Sequence, residues 1–230
     1  MDGIKLFNGD AIEMMKTHIQ DESVDLVLTD PPYNISKANG FASMGRAGID
    51  FGEWDKDADL FSYIDEVARI LKPTGSFIVF NAWRNLGDIA NYAERQGMIA
   101  KDVFRLEKTN PMPRNRDRRY ITDYEFAIWF TNGGKWTFNR RHPSYERPKY
   151  VGAIESGLHP TQKNLGLMEH LVLIHSNPDD VIVDCFAGSG TTGVAALRHN
   201  RKFIGIERNL DYYNIMCKRI ADNNKKEKIE

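Results

Sequence analysis

Short runs of β-branched and aromatic residues recur along the chain and predict strands buried on both faces at 24–29, 77–80, 126–130, 181–183 and 203–206. Weaker runs at 4–7 and 103–106 extend the set. Between them apolar residues return at the three-to-four spacing of a helix with one buried face. Leu60, Ile64, Val67 and Leu71 form one such stripe, stopped by Lys72-Pro73-Thr74-Gly75. Leu86, Ile89 and Ala93 form a second, Leu165, Met168, Leu171 and Val172 a third, and Leu210, Tyr213, Cys217 and Ile220 a fourth. Strands alternating with helices in this way predict an α/β protein with a largely parallel sheet covered on both sides. Ligands of such sheets bind at the carboxyl ends of the strands.

Two stretches break the alternation. Residues 34–57, rich in Gly and Asn, are long for a connector and read as a mobile functional loop; residues 132–160 read as an irregular insertion in what is otherwise one domain over 1–230. With 230 residues, 41% of them hydrophobic, the chain can bury a sizeable core, which excludes a disordered or low-complexity protein. Only Cys185 and Cys217 occur, at no metal-binding spacing, so a disulfide scaffold and a cysteine-ligated metal are set aside and both read as small buried hydrophobes. No apolar run approaches the roughly 20 residues of a membrane helix, and the start of the chain has no leader pattern, so the expected location is cytoplasmic. Net charge is −1, but unevenly spread: residues 1–60 hold five basic and twelve acidic side chains, residues 101–150 twelve basic and six acidic. A basic middle in a neutral protein suits a polyanion, and equally an ordinary solvated surface.

The chemistry is written in two places. After the strand at 180–184 comes Phe186-Ala187-Gly188-Ser189-Gly190-Thr191-Thr192-Gly193 and then a helical stretch, while Glu207 closes the next strand. Gly188, Gly190 and Gly193 give the G-x-G-x-x-G pattern in its strand-to-helix setting, with an acid to accept ribose hydroxyls, so a nucleoside-bearing cofactor is expected. The pattern alone does not choose which one. The second place is Asp30-Pro31-Pro32-Tyr33, at the end of the strand 24–29. Prolines contribute carbonyls and no N–H, so Asp30 and the Pro31 carbonyl make a group of acceptors beside the Tyr33 ring, suited to a flat heterocycle bearing an amino group.

With both motifs in hand, the sequence resembles the DNA amino-methyltransferases that use S-adenosylmethionine. Asp30-Pro31-Pro32-Tyr33 matches their catalytic motif and Phe186-Ala187-Gly188-Ser189-Gly190 their cofactor motif. Asn8-Gly9-Asp10-Ala11 and His159-Pro160-Thr161-Gln162-Lys163 also match, and Asn110-Pro111-Met112-Pro113-Arg114-Asn115 points to the MboII-type adenine-specific subgroup. The catalytic motif comes first, the order of the beta class, which implies a circularly permuted Rossmann-like methyltransferase fold with a mostly parallel seven-stranded sheet flanked by helices. Asn164 departs from relatives with Pro after the lysine, with an expected effect only on helix-start geometry.

The resemblance implies roles for individual residues. Asp30, Pro31, Pro32 and Tyr33 are the expected catalytic set, with Tyr33 stacking on a flipped base. The cofactor would meet Asp10, Ala11, Asp30, Thr161, Lys163, Asp184, Phe186, Gly188, Gly190, Thr191 and Glu207, with Phe186 at the adenine, Glu207 at the ribose and Lys163 at the methionine end. Double-stranded DNA would meet Arg114, Arg116, Arg118, Arg119, Tyr120, Arg140, Arg141 and Lys149, with 132–160 as the target-recognition region. The expected reaction is methylation of the N6 amine of adenine without a metal. A homodimer and a cognate restriction endonuclease are the protein partners the family allows. The rivals are cytosine-N4 or RNA-adenine methylation and, from other classes, a dinucleotide-dependent oxidoreductase or a nonenzymatic nucleic-acid-binding protein.

Overall fold

Alternating side-chain direction divides the apolar strands between two cores, one on each face of a single sheet. The computed structural model describes residues 3–34, 59–107, 120, 124–140 and 162–226. Strands β1 (Ile4–Asn8), β2 (Val24–Thr29), β3 (Leu71–Asn81), β4 (Ile99–Glu107), β5 (Tyr124–Thr131), β6 (Val181–Asp184) and β7 (Lys202–Glu207) lie in the order β1-β7-β6-β2-β3-β5-β4. Phe77 and Val79 join Val27, Ile128, Phe130 and Val183 in one core, under helices α1 (Ala11–His18), α2 (Ser62–Ile70) and α3 (Leu86–Arg95). Ile78 and Phe80 join Leu28, Ala127, Trp129 and Ile182 in the other, under α4 (Leu165–His175), α5 (Thr191–Arg198) and α6 (Leu210–Lys226).

The parallel arrangement expected from the alternation holds for β1, β7, β6, β2 and β3, whereas β5 runs antiparallel to both its neighbours, β3 and β4. Chain order separates the Asp-Pro-Pro-Tyr strand β2 from the Gly-rich strand β6, yet the sheet makes them neighbours, with Leu26 paired to Ile182 and Val27 to Val183. Both motifs therefore leave the same edge side by side.

Local chemistry sets the element ends. Asp10 caps α1, its Oδ1 accepting from the Ile12 and Glu13 backbone N–H groups at 3.0 and 3.3 Å. Asn164 caps α4 in the same way, accepting from Leu167 N–H at 2.9 Å, so the departure from proline supplies a side-chain cap that proline cannot. One expectation is corrected. Leu71 does not close a helix and Lys72-Pro73-Thr74-Gly75 is no simple stop: β3 begins at Leu71 directly after α2 and runs through these residues. Proline is tolerated there because the pairing of β2 with β3 shifts register between Val24 and Leu26, where no N–H from Pro73 is required.

Of the two irregular stretches, 35–57 and 141–160 lie outside the described residues. Residues 132–140 carry no helix or strand and pack on the second core: Phe138 stacks on Trp129 with centroids 5.6 Å apart, and Asn139 N–H donates to the Ile174 carbonyl at 2.7 Å.

Gly193 shows how closely α5 is drawn onto the sheet. A Cβ there would lie 2.6 Å from a Phe203 ring carbon and 2.8 Å from Ile220 Cδ1. Gly193→Ala is expected to destabilise the fold by about 1–2 kcal/mol, overpacking outweighing the helix propensity gained by alanine. A lower urea midpoint at unchanged slope would show it.

Candidate active site

The carboxyl edge is built around three buried or half-buried carboxylates. Asp184, at the end of β6, is 4% exposed. Its Oδ1 accepts from the Thr29 hydroxyl at 2.7 Å and the Phe186 N–H at 3.2 Å, and its Oδ2 from the Thr192 hydroxyl at 2.6 Å. One carboxylate thus joins β2, β6, the Gly-rich turn and α5. Burial pushes its pKa up to about 6 against these hydrogen bonds.

Glu207, at the end of β7, holds the other side of the turn. Its Oε2 accepts from Gly188 N–H at 2.8 Å and its Oε1 from Asn209 N–H at 2.7 Å, and burial raises its pKa. The Asn8 amide donates to the Glu207 carbonyl at 2.8 Å, which ties the Asn8-Gly9-Asp10-Ala11 segment to the same strand end. Gly188 and Gly190 take φ of +51° and +81°, the left-handed region that favours glycine. Phe186 stands edge-on to Tyr63 with centroids 5.2 Å apart. Thr191 is 5% exposed, and its hydroxyl accepts from Arg219 at 2.9 Å, which directs it toward α6.

Asp30 follows β2. The Tyr33 hydroxyl donates to its Oδ1. The Lys163 ammonium lies 2.8 Å from its Oδ2, donates to the Tyr33 hydroxyl oxygen at 3.2 Å, and lies 3.5 Å from Glu125 Oε2 on β5. The same ammonium sits 5.0 Å from the Phe80 ring centre. Burial lifts the Asp30 carboxyl above the usual aspartate range despite that ammonium. Burial disfavours the Lys163 charge as well, but Asp30, Tyr33 and Glu125 outweigh it and hold the ammonium protonated.

Several of these positions are invisible to motif reading. Glu125 is an acid in an apolar strand, the one sequence signal that could have singled it out. Asn85 donates to the Tyr33 carbonyl at 2.9 Å and to Asn81 Oδ1 at 2.7 Å, holding the turn after β3 against the Asp-Pro-Pro-Tyr segment. The Tyr63 hydroxyl and the Asn81 Nδ2 are buried without a hydrogen-bond partner among the described residues. The orphaned hydroxyl of Tyr63, whose ring meets Phe186 in the turn that Glu207 holds, fits a bound nucleoside.

The expected surface residues are less informative. Tyr120 is 99% exposed, and Arg140 is exposed at the end of the 132–140 segment. Thr161, Arg114, Arg116, Arg118, Arg119, Arg141 and Lys149 lie outside the described residues. Cys185 is buried, and burial pushes its thiol up to about 12, which leaves no thiolate at neutral pH.

Comparison with known proteins identifies the family. The DNA methylase family model matches residues 24–218, from the first residue of β2 into α6. The chain belongs to the DNA methylase family. This methylase is 30% identical to the type II methyltransferase M2.MboI of Moraxella bovis, over 93% of its own length and 86% of that protein. It is 32% identical to M.HinfI of Haemophilus influenzae, over 94% and 68%. Among solved structures, the methylase superposes on M1.HpyAVI in complex with SAM with a TM-score of 0.75 at 35% identity, covering 94% of this chain and 99% of that one. The cytosine-N4-specific PvuII methyltransferase shares the fold, with a TM-score of 0.72 at 20% identity.

The buried Asp184 sets a pH dependence. Its pKa is raised on folding, so the cost of burying the carboxylate is full above about pH 6 and is relieved as pH falls from there toward the ordinary aspartate value. Stability of the wild type relative to Asp184→Asn is therefore expected to rise by about 1 kcal/mol between pH 7 and pH 5. Urea unfolding of both proteins at the two pH values measures it; a constant difference would contradict the assignment.

Proposed function

We propose that this methylase transfers the methyl group of S-adenosylmethionine to the N6 amine of an adenine flipped out of duplex DNA. The observation that carries the reading is the juxtaposition of Asp30 and Tyr33 with the Gly-rich turn held by Asp184 and Glu207. The solved SAM complex of M1.HpyAVI, a 35% identical relative, supports the cofactor.

When bound, the cofactor supplies an electrophilic methyl group on a sulfonium. Glu207 would hold its ribose, Phe186 its adenine face, and Asp10 and Ala11 the adenine edge. The exocyclic amine of adenine is conjugated with its ring and is a poor nucleophile. Asp30 and the Pro31 carbonyl accept its hydrogens and localise its lone pair, while Tyr33 stacks on the base. The raised pKa of Asp30 suits it to take up the proton that the amine sheds.

In the structure both Asp30 oxygens are engaged, one by Tyr33 and the other by Lys163. The arriving amine has to replace one of these donors. Lys163 can yield and keep an ionic partner of its own, because Glu125 is already 3.5 Å away, while Asp30 retains the Tyr33 hydroxyl and gains the amine hydrogens. Lys163 then acts first on the catalytic carboxylate, in addition to the methionine end of the cofactor.

Duplex DNA is the expected substrate of the basic segment around Arg114, Arg116, Arg118 and Arg119, and 132–160 the expected target-recognition region. Among the described residues no helix is long and apolar enough to cross a membrane; a cytoplasmic location is part of the proposal. A cognate restriction endonuclease and a homodimer belong to the same reading, the latter checked by sedimentation.

Labelled methyl transfer to unmodified duplex DNA followed by nucleoside analysis is expected to yield N6-methyladenine. N4-methylcytosine, or transfer to RNA alone, would overturn the assignment. Asp30→Ala should lower the transfer rate by at least about 100-fold while calorimetry still detects cofactor binding. Lys163→Gln removes the charge that favours the Asp30 carboxylate, so the acid limb of kcat/KM should move to higher pH; a limb that stays in place would separate Lys163 from Asp30.

A further inference from the structure

Trp83 and Arg84 occupy the turn between β3 and α3, on the edge that carries the candidate site. Trp83 is 61% exposed, whereas Trp129 is 8% exposed and Trp136 packs against both Trp129 and the Lys101 ammonium. The ring of Trp83 has the Arg84 guanidinium 5.3 Å from its centre. A tryptophan left in water forgoes one of the largest burial gains open to a side chain. Nothing in the turn's own construction demands it. The backbone is fixed by other groups: Asn85 N–H donates to the Ala82 carbonyl at 2.9 Å, and Ala82 N–H to Asn81 Oδ1 at 2.9 Å.

The same turn is bound to the catalytic segment. Asn85 Nδ2 reaches both Asn81 Oδ1 and the Tyr33 carbonyl, so Trp83 is carried two residues from a direct hydrogen bond to Asp-Pro-Pro-Tyr. An exposed indole beside a planar guanidinium is a pair suited to nucleic acid: the ring stacks on a base, and the cation contacts phosphate. Extrusion of a base from a duplex leaves neighbouring base faces unstacked close to the site that receives it.

We propose that Trp83 and Arg84 form a nucleic-acid contact at the rim of the active site, in which the Trp83 indole stacks on a base face exposed by extrusion of the target adenine and Arg84 binds a flanking phosphate. The proposal rests on the reading of the protein as a duplex-DNA adenine methylase. It adds an element to DNA binding that lies outside both the basic segment and the 132–160 region, on a turn mechanically joined to Tyr33.

The test begins with wild-type protein and polymerase-amplified, unmodified bacterial DNA, on which sequencing of methylated positions gives the target site. A duplex of that site with 2-aminopurine at the target adenine then reports extrusion by fluorescence. Trp83→Ala is expected to weaken binding of this duplex by roughly 5- to 100-fold, the range of a lost base–aromatic stack, and to reduce the fluorescence gain, with cofactor affinity and urea midpoint unchanged. Trp83→Phe should recover part of both signals. Arg84→Ala should reduce the slope of log affinity against log salt by about 1. Duplex affinity and fluorescence in Trp83→Ala within twofold of wild type would overturn this proposal alone. A wild-type protein that methylates no DNA would overturn the reading beneath it and this proposal with it.

Discussion

The candidate site depends on one buried carboxylate. β2 and β6 share only a short register, Leu26 with Ile182 and Val27 with Val183, and beyond it the two chains part toward their separate motifs. Asp184 carries the joint past the strand ends by accepting from Thr29 on one side and from Phe186 and Thr192 on the other. Burying the charge is costly, which is why its pKa rises to about 6, and three donors offset the cost. With that carboxylate satisfied, Asp30 and the Gly-rich turn keep a fixed separation although Thr29 and Asp184 stand 155 positions apart in the chain.

A second clasp ties the Gly-rich turn to β1 and β7. Glu207 accepts from Gly188 while its own carbonyl is held by Asn8 and Gly9, so β1, β7 and the turn move as a unit. Polar groups that stabilise the edge are here the same ones proposed to meet the cofactor. Their lone pairs are only partly used, and the Tyr63 hydroxyl and Asn81 amide remain unpartnered among the described residues. The edge is therefore stable enough to persist and incomplete enough to favour a polar ligand.

Around Asp30 the balance is electrostatic. One ammonium, Lys163, faces two carboxylates, Asp30 and Glu125, with the Phe80 ring alongside. An isolated buried lysine would tend to lose its proton, and these partners prevent that. The shorter contact is to Asp30, at 2.8 Å, and the longer to Glu125, at 3.5 Å. Asn85 extends the network to the β3–α3 turn, so Tyr33 is held through its hydroxyl and its backbone carbonyl alike.

By itself the sequence determined the α/β class, the strand at each motif, the Asp-Pro-Pro-Tyr and Gly-rich segments, and the family, because hydrophobic period and short motifs are local properties. It misplaced the junction where a strand starts at the residue after a helix, assigning Leu71 to the helix that ends at Ile70, since both elements bury that position equally well. It also gave no sign that Lys163 would meet Glu125, that Thr191 would be taken up by Arg219, or that Asn85 would hold Tyr33. Those pairings join residues 38, 28 and 52 positions apart. Only tertiary structure decided them, because which charges and amides share a buried volume follows from strand order and helix packing, and a sequence fixes that order only through the cooperative burial of both faces of the sheet.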